Sequence, residues 1–311
     1  LLLLVIIPGP NKDGRLFGLG ENGAVRWLGI PGTSMQFQPS EVAKLGIIVY
    51  FADRISRKRE KMNVLVARDG AGPLVLLLGF LAVIVALEPH LSGAILILGM
   101  GAAMLGVGGI HWKWVALGVT GVVCAWCLMA YTDVVETFLR EVLHYNASRI
   151  AVWKDPLGGD LDYQRGDAYQ IRQSLIPIGS GGLRGVGLGK RHQKFGFLPE
   201  RHNDYIFAIV FEELGLVGGT LIMILFALLI IRGYWLAIHA RDRFGSLLIV
   251  GVVTQIALQT FLNIAVVTNL MPSTGISLPF FSYGGTALGI QLAEIGIVLS
   301  VSRQIPAPKA G

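Results

Sequence analysis

Long apolar stretches separated by short charged loops run through this chain, and they limit what it can fold into. Residues 73–87, 91–110, 115–131, 205–231, 247–270 and 284–301 each form such a run, and a shorter one, 39–52, carries Glu41 and Lys44. Crossing a bilayer's hydrocarbon core takes about 20 apolar helical residues, and these runs reach or approach that length. Composition points the same way: 53% of the 311 residues are hydrophobic and 15% are charged. That is more apolar surface than a soluble domain of this length can bury. We therefore expect an all-α polytopic membrane protein, a single transmembrane domain over residues 1–311 with seven full spans and an initial fragment. Leu1–Ile7 is apolar but too short to span, and we read it as the tail of an earlier span, with further N-terminal membrane segments expected before it.

The distribution of cations sets the expected orientation. Arg54, Arg57, Lys58, Arg59, Lys61 and Arg68 crowd the loop 53–69, which marks it as cytoplasmic. Alternation then puts Glu88-Pro89-His90 outside, His111-Trp112-Lys113 inside, a long segment 132–203 outside, the basic loop 232–243 inside, residues 271–283 outside and the C-terminus in the cytoplasm. The external segment is itself rich in Lys and Arg, but loops beyond about 60 residues are largely exempt from the positive-inside rule. Residues 8–38 read as a glycine-rich polar loop in which Trp27, beside Arg26, is an interfacial anchor. The net charge of +6 fits an anionic lipid or a phosphorylated substrate, and the spans argue against nucleic acid. Cys124 and Cys127 fall inside an apolar run and read as small core residues.

Charge inside a span is costly, so each instance needs a reason. Glu41 and Lys44 are three apart on one helix and can pair; the pair is either structural or a lysine held ready for a phosphate. Glu212, Glu213 and Glu294 lie too deep for water and should face inward. The densest polar chemistry lies between Gly179 and Gly215: glycine runs with Ser180, Arg184, Lys190, Arg191, Lys194, Glu200, Arg201 and His202 lead directly into an apolar helix, and Asp204 stands at its first turn. A first-turn acid is often no more than a helix cap. Here it is surrounded by cations at the membrane's outer edge. Cations for a diphosphate and one carboxylate to take a proton from an attacking hydroxyl are the minimum parts of glycosyl transfer from a lipid-diphosphate sugar. The glycines allow backbone N–H groups to approach phosphate oxygens, without forming a P-loop. No cofactor is required by the sequence; a diphosphate site can recruit Mg²⁺ or Mn²⁺ loosely.

Several stretches together are specific enough to name a likeness: Arg26-Trp27-Leu28, Phe37 to Leu45, Gln173 to Ile176, Ile178 to Leu183, Phe197 to Gly215, and Ser277 to Gly285. In this order they resemble the SEDS family (shape, elongation, division and sporulation proteins), peptidoglycan glycosyltransferases that include FtsW, RodA and SpoVE, and the likeness is closer to the FtsW/SpoVE branch. The resemblance implies a SEDS-type bundle of ten helices, of which this chain begins near the end of the third. It implies polymerisation of lipid II at the outer face of the bacterial cytoplasmic membrane, with Asp204 as the essential carboxylate. Trp27, Glu41, Lys44, Ser180, Arg184, Lys194, Glu200, Arg201, His202, Ser282 and Tyr283 are then the expected substrate contacts. A class B penicillin-binding protein is the usual partner, with other divisome or elongasome membrane proteins. Two stretches depart from the pattern. Glu88-Pro89-His90-Leu91-Ser92 stands where the family has Gln-Pro-Asp-Leu-Gly, and an acidic patch, Asp160, Asp162 and Asp167, is added. A lipid II transporter is the rival expectation, since inward-facing charges such as Glu41, Lys44, Glu212 and Glu294 also suit a polar path. Within the family the alternative is a RodA-type elongation polymerase, which Glu200-Arg201-His202 resembles more.

Overall fold

The computed structural model describes residues 2, 18–21, 24–29, 36–58, 70–87, 91–131, 148–155, 167–187 and 204–305. Helices occupy every apolar run named above. The first is α1 (Pro39–Arg57), with Pro39 at its start, Glu41 in its first turn and Arg54 and Arg57 in its last. Proline suits the first turn because its missing N–H would be unpaired there anyway, and the charges oppose the helix dipole at both ends. It runs five residues beyond the expected end, into the basic loop. Next come α2 (Gly72–Leu87), α3 (Leu91–Val107) and α4 (Trp112–Tyr131). The remaining helices are α5 (Ser148–Lys154), α6 (Asp167–Ser180), α7 (Ile206–Ile238), α8 (Arg243–Val267) and α9 (Gly285–Ser302).

Helices α7, α8 and α9 are long and apolar enough to cross a membrane, and shorter apolar helices cover 72–86 and 92–107. On α7, Leu216, Val217, Leu221, Leu225, Leu228 and Ile231 are all exposed. So continuous an apolar surface belongs against lipid, and the chain is a multi-pass membrane protein.

Two expectations are corrected. Residues 8–38 are not simply a loop: β1 (Gly18–Glu21), β2 (Ala24–Gly29) and β3 (Gln36–Phe37) form a small antiparallel sheet in the order β1-β2-β3. Trp27 sits in β2 opposite Leu19, and Leu28 opposite Phe37 is buried. The glycines hid a short run, Ala24 to Leu28, whose Val and Trp favour extended backbone. The long segment 132–203 likewise holds two helices, α5 and α6, where Val152, Ile171 and Leu175 pack together.

The chain divides into two compact units, each described here by itself. The first comprises residues 1–123, 230–256 and 285–311. In it α3 packs on α1 and α2, and α9 packs on α1. Its core is Ile48, Phe51, Ala52 and Ile55 of α1, Ile97, Met100 and Met104 of α3, and Ile249 and Val252 of α8. Lipid is as apolar as leucine, so close packing holds such helices together, and small residues allow it. At Gly251 of α8 a Cβ would meet the Ile48 side chain at 2.7 Å and the Met104 sulfur at 3.0 Å.

The second unit comprises residues 124–229 and 257–284. Its main feature is a break in α7 at Gly215 (φ 67, ψ −169), a conformation open essentially to glycine alone. The segment after α6 lies against the break. Val186 N–H and Gly187 N–H donate to the carbonyls of Glu212 and Glu213 at 2.9 and 3.1 Å, and Leu216 N–H and Val217 N–H donate to Gly182 and Leu183 at 2.9 and 3.2 Å. A broken helix at membrane depth has to have its freed backbone groups satisfied by protein, and this four-bond zipper does so.

Candidate functional site

Asp204 lies in a turn immediately before α7 and is half-buried. Its neighbour Tyr205 is 2% exposed, and the Tyr205 hydroxyl shares a 3.1 Å hydrogen bond with Ser273 Oγ. The Asp204 carbonyl accepts a hydrogen bond from Asn263 Nδ2 of α8 at 2.8 Å, and the same nitrogen donates to Ile276 O at 2.7 Å. The turn that presents the carboxylate is thus held from two sides, by a phenol and by an amide.

The segment that receives these bonds, residues 271–278, has no regular secondary structure, yet Ser273, Thr274, Ile276 and Leu278 are buried. Gln259 Nε2 donates to Ser277 O at 3.0 Å and to Ser277 Oγ at 3.2 Å, and Arg149 Nη1 donates to Ser273 O at 3.5 Å. Trp153 Nε1 donates to Asn269 O at 3.2 Å, which ties α5 to the end of α8. Further on, Leu278 N–H donates to Ser282 Oγ at 2.7 Å, and Phe280 adopts φ 64, a left-handed backbone that a bulky residue holds only under restraint. Ser282 therefore closes a turn, while the Tyr283 ring beside it is 84% exposed.

Ser180 and Arg184 flank the zipper. Both are exposed, and Ser180 Oγ donates to Pro177 O at 3.2 Å. The glycine N–H groups of this segment are engaged otherwise than expected. Gly185 N–H donates to Gly181 O at 2.8 Å and Gly187 N–H to Glu213 O, so they serve the backbone instead of standing ready for phosphate. Glycine is needed here because a Cβ on Gly185, at φ +73, would collide with the Glu213 carbonyl. Glu212 is fully buried, as its depth in the sequence suggested. Lys194, Glu200, Arg201 and His202 lie outside the described residues, as do Lys190, Arg191, His90, Asp160 and Asp162.

A second polar group belongs to the other unit. Lys44 Nζ and Glu41 Oε2 are 2.8 Å apart, with Lys44 1% and Glu41 6% exposed. Glu294 of α9, fully buried, accepts from Gln255 Nε2 through both carboxylate oxygens at 3.1 and 3.0 Å and lies within the electrostatic reach of Lys44 and Glu41. Two carboxylates, one ammonium and an amide are thus all buried in this unit, where each would be costly alone. Trp27 belongs to the same unit, in β2.

Sequence reasoning singled out Asp204 but passed over the residues that hold its turn. Gln255, Gln259 and Asn263 recur every fourth position along α8, so they share one face of a mainly apolar and mostly buried helix. That spacing was a readable sign that the face meets backbone carbonyls or carboxylates. Among the described residues, no three His, Cys, Asp or Glu side chains come together in a way that would hold a metal ion.

Comparison with known proteins now places the chain. The FtsW/RodA/SpoVE family, described as cell cycle proteins, matches residues 1–306. Stage V sporulation protein E of Bacillus subtilis is 39% identical over 304 residues, covering 97% of this chain and 76% of that protein. A probable peptidoglycan glycosyltransferase FtsW of Geobacter metallireducens is 37% identical over 305 residues, covering 98% of this chain and 75% of that one. Among solved structures, a chain of a peptidoglycan synthase complex that coordinates polymerization and crosslinking superposes with a TM-score of 0.71 at 26% identity, covering 99% of this chain and 79% of that one. On this breadth of agreement, the chain belongs to the FtsW/RodA/SpoVE family of cell cycle proteins.

Proposed function

We propose that this protein is a peptidoglycan glycosyltransferase that polymerises lipid II into glycan strands. Two things support the reading: the relatives that match nearly the whole chain include a probable peptidoglycan glycosyltransferase, and the turn before α7 holds a half-buried carboxylate by its own backbone. In the proposed step Asp204 accepts the proton of the acceptor sugar's 4-hydroxyl. That oxygen bonds to the donor's anomeric carbon with inversion, and the bond from that carbon to the phosphate oxygen breaks. Undecaprenyl diphosphate leaves with the electron pair. A positioned base of this kind contributes about 10²–10⁴ in rate.

The leaving diphosphate needs positive charge, and we assign that work to Arg184, Lys194 and Arg201, with Glu200, His202, Ser180, Ser282, Tyr283 and Trp27 as further substrate contacts and Glu41 and Lys44 as an interior polar pair. Mg²⁺ or Mn²⁺, where it takes part, would be held chiefly by the diphosphate itself. The density of Lys and Arg in 53–69 and 232–243 supports placing both loops in the cytoplasm, with the C-terminus on the same side and Asp204 at the outer face of the bacterial inner membrane. The synthase-complex likeness supports a class B penicillin-binding protein as partner, and the sporulation-protein and FtsW relatives support a role in division or sporulation.

Purified full-length protein in proteoliposomes, supplied with lipid II with and without the partner, should build glycan strands. Asp204→Asn and Asp204→Ala should build none while remaining monodisperse and folded. Normal strand growth by folded Asp204→Asn would end the assignment; lipid II crossing the bilayer without chain growth would favour a transporter.

A further inference from the structure

We infer that Asn263 of α8 is a positioning residue for the Asp204 carboxylate, acting through the backbone of the turn that carries it; this rests on Asp204 being the base proposed above. The argument starts from the amide's chemistry. A primary amide nitrogen has two hydrogens, and Asn263 uses them on two carbonyls at once, Asp204 O at 2.8 Å and Ile276 O at 2.7 Å. The opposite rotamer of the amide would set its oxygen against both carbonyls, so the contacts fix its orientation. Asn263 is fully buried, and its Oδ1 has no hydrogen-bond partner among the described residues, so its firm attachments are these two.

Both carbonyls belong to segments outside regular helix. Asp204 precedes the first backbone bond of α7, which runs from Ala208 N–H to Tyr205 O at 3.0 Å, so the helix ladder does not fix it. Ile276 lies in the buried non-helical stretch 271–278, whose carbonyls have to find donors inside the protein. One side chain therefore links the carboxylate's turn to the segment that continues to Ser282. The Tyr205–Ser273 hydroxyl contact makes a second link between the same two segments. A base must sit within hydrogen-bond reach of the proton it takes, and displacement by about 1 Å can cost about 10²-fold in rate.

The test uses the full-length protein with its partner in proteoliposomes, measuring initial rates of lipid II polymerisation against lipid II concentration and pH. Asn263→Leu keeps the branched outline, with the same number of side-chain heavy atoms, and removes both donors. We expect kcat to fall about 10- to 100-fold, KM for lipid II to stay within about twofold, and the acidic limb of the kcat–pH profile to move, because the titrating carboxylate has changed surroundings. Tyr205→Phe loosens the same turn from its other side and should shift the same limb by less; it serves alone if Asn263→Leu does not fold. A fall in kcat with an unmoved limb in both variants would mean loss of folded enzyme only and would overturn the inference, as would a rise in KM alone. Asp204→Asn, run alongside, separates the two readings. If it polymerises, the base assignment fails; if it is inactive while Asn263→Leu and Tyr205→Phe behave as wild type, only the positioning role fails.

Discussion

Replacing Gly185 with alanine tests whether the segment after α6 is a device for satisfying the broken helix. Two neighbouring glycines make the comparison clean. Gly182 and Gly185 both have positive φ, +53 and +73, so alanine at either incurs the left-handed penalty of about 1–2 kcal/mol. At Gly182 the added methyl meets nothing within 4 Å, whereas at Gly185 it runs into the Glu213 carbonyl and lies 2.6 Å from Gly215 N. Relief of that collision has to move residues 185–187 away from α7, stretching Val186 N–H to Glu212 O (2.9 Å) and Gly187 N–H to Glu213 O (3.1 Å). At about 1 kcal/mol net each, two lost bonds add about 2 kcal/mol beyond the shared penalty. Gly185→Ala should therefore be destabilised by about 2 kcal/mol more than Gly182→Ala, roughly 30-fold in the unfolding equilibrium. Titration with SDS in mixed micelles, followed by tryptophan fluorescence, measures the difference. Equal destabilisation of the two variants would refute the zipper as the reason for glycine at 185.

Further outcomes follow from the buried charges and the proposed chemistry. Lys44→Met alone should destabilise the protein by about 3–5 kcal/mol, since it leaves Glu41 charged and buried, while Lys44→Met with Glu41→Leu should recover most of that in the same titration. Gln255→Leu removes both hydrogen bonds to the fully buried Glu294 and should cost about 2 kcal/mol, largely restored by adding Glu294→Leu. If a divalent cation accompanies the diphosphate, chelation should slow polymerisation without altering the unfolding midpoint, and Mg²⁺ or Mn²⁺ should restore the rate; a shifted midpoint would indicate a protein-held site instead.

Much of this protein follows from local sequence. Runs of apolar residues placed the helices to within a few residues at most ends, because a segment that must satisfy its own backbone in lipid has little choice but helix. The three-residue spacing of Glu41 and Lys44 forecast their contact, since such positions share a helix face. Depth alone forecast that Glu212, Glu213 and Glu294 would face inward; Glu212 and Glu294 are buried and Glu213 is half-buried. Asp204 stood out by its place before an apolar helix among cations. Other features depended on partners far along the chain. Nothing near Gly215 says that its carbonyl neighbours will be met by residues 182–187, so the glycine runs after α6 suggested backbone open to phosphate, whereas Val186 and Gly187 N–H serve α7 and Gly181 and Gly185 N–H serve their own turn. Nothing near Asp204 says that Asn263, 59 positions away, will hold its carbonyl, or that Tyr205 will reach Ser273, 68 positions away. Sequence determines where a helix must form and which charges need company; only tertiary structure decides which distant backbone supplies it, because a hydrogen bond is set by distance and angle in space.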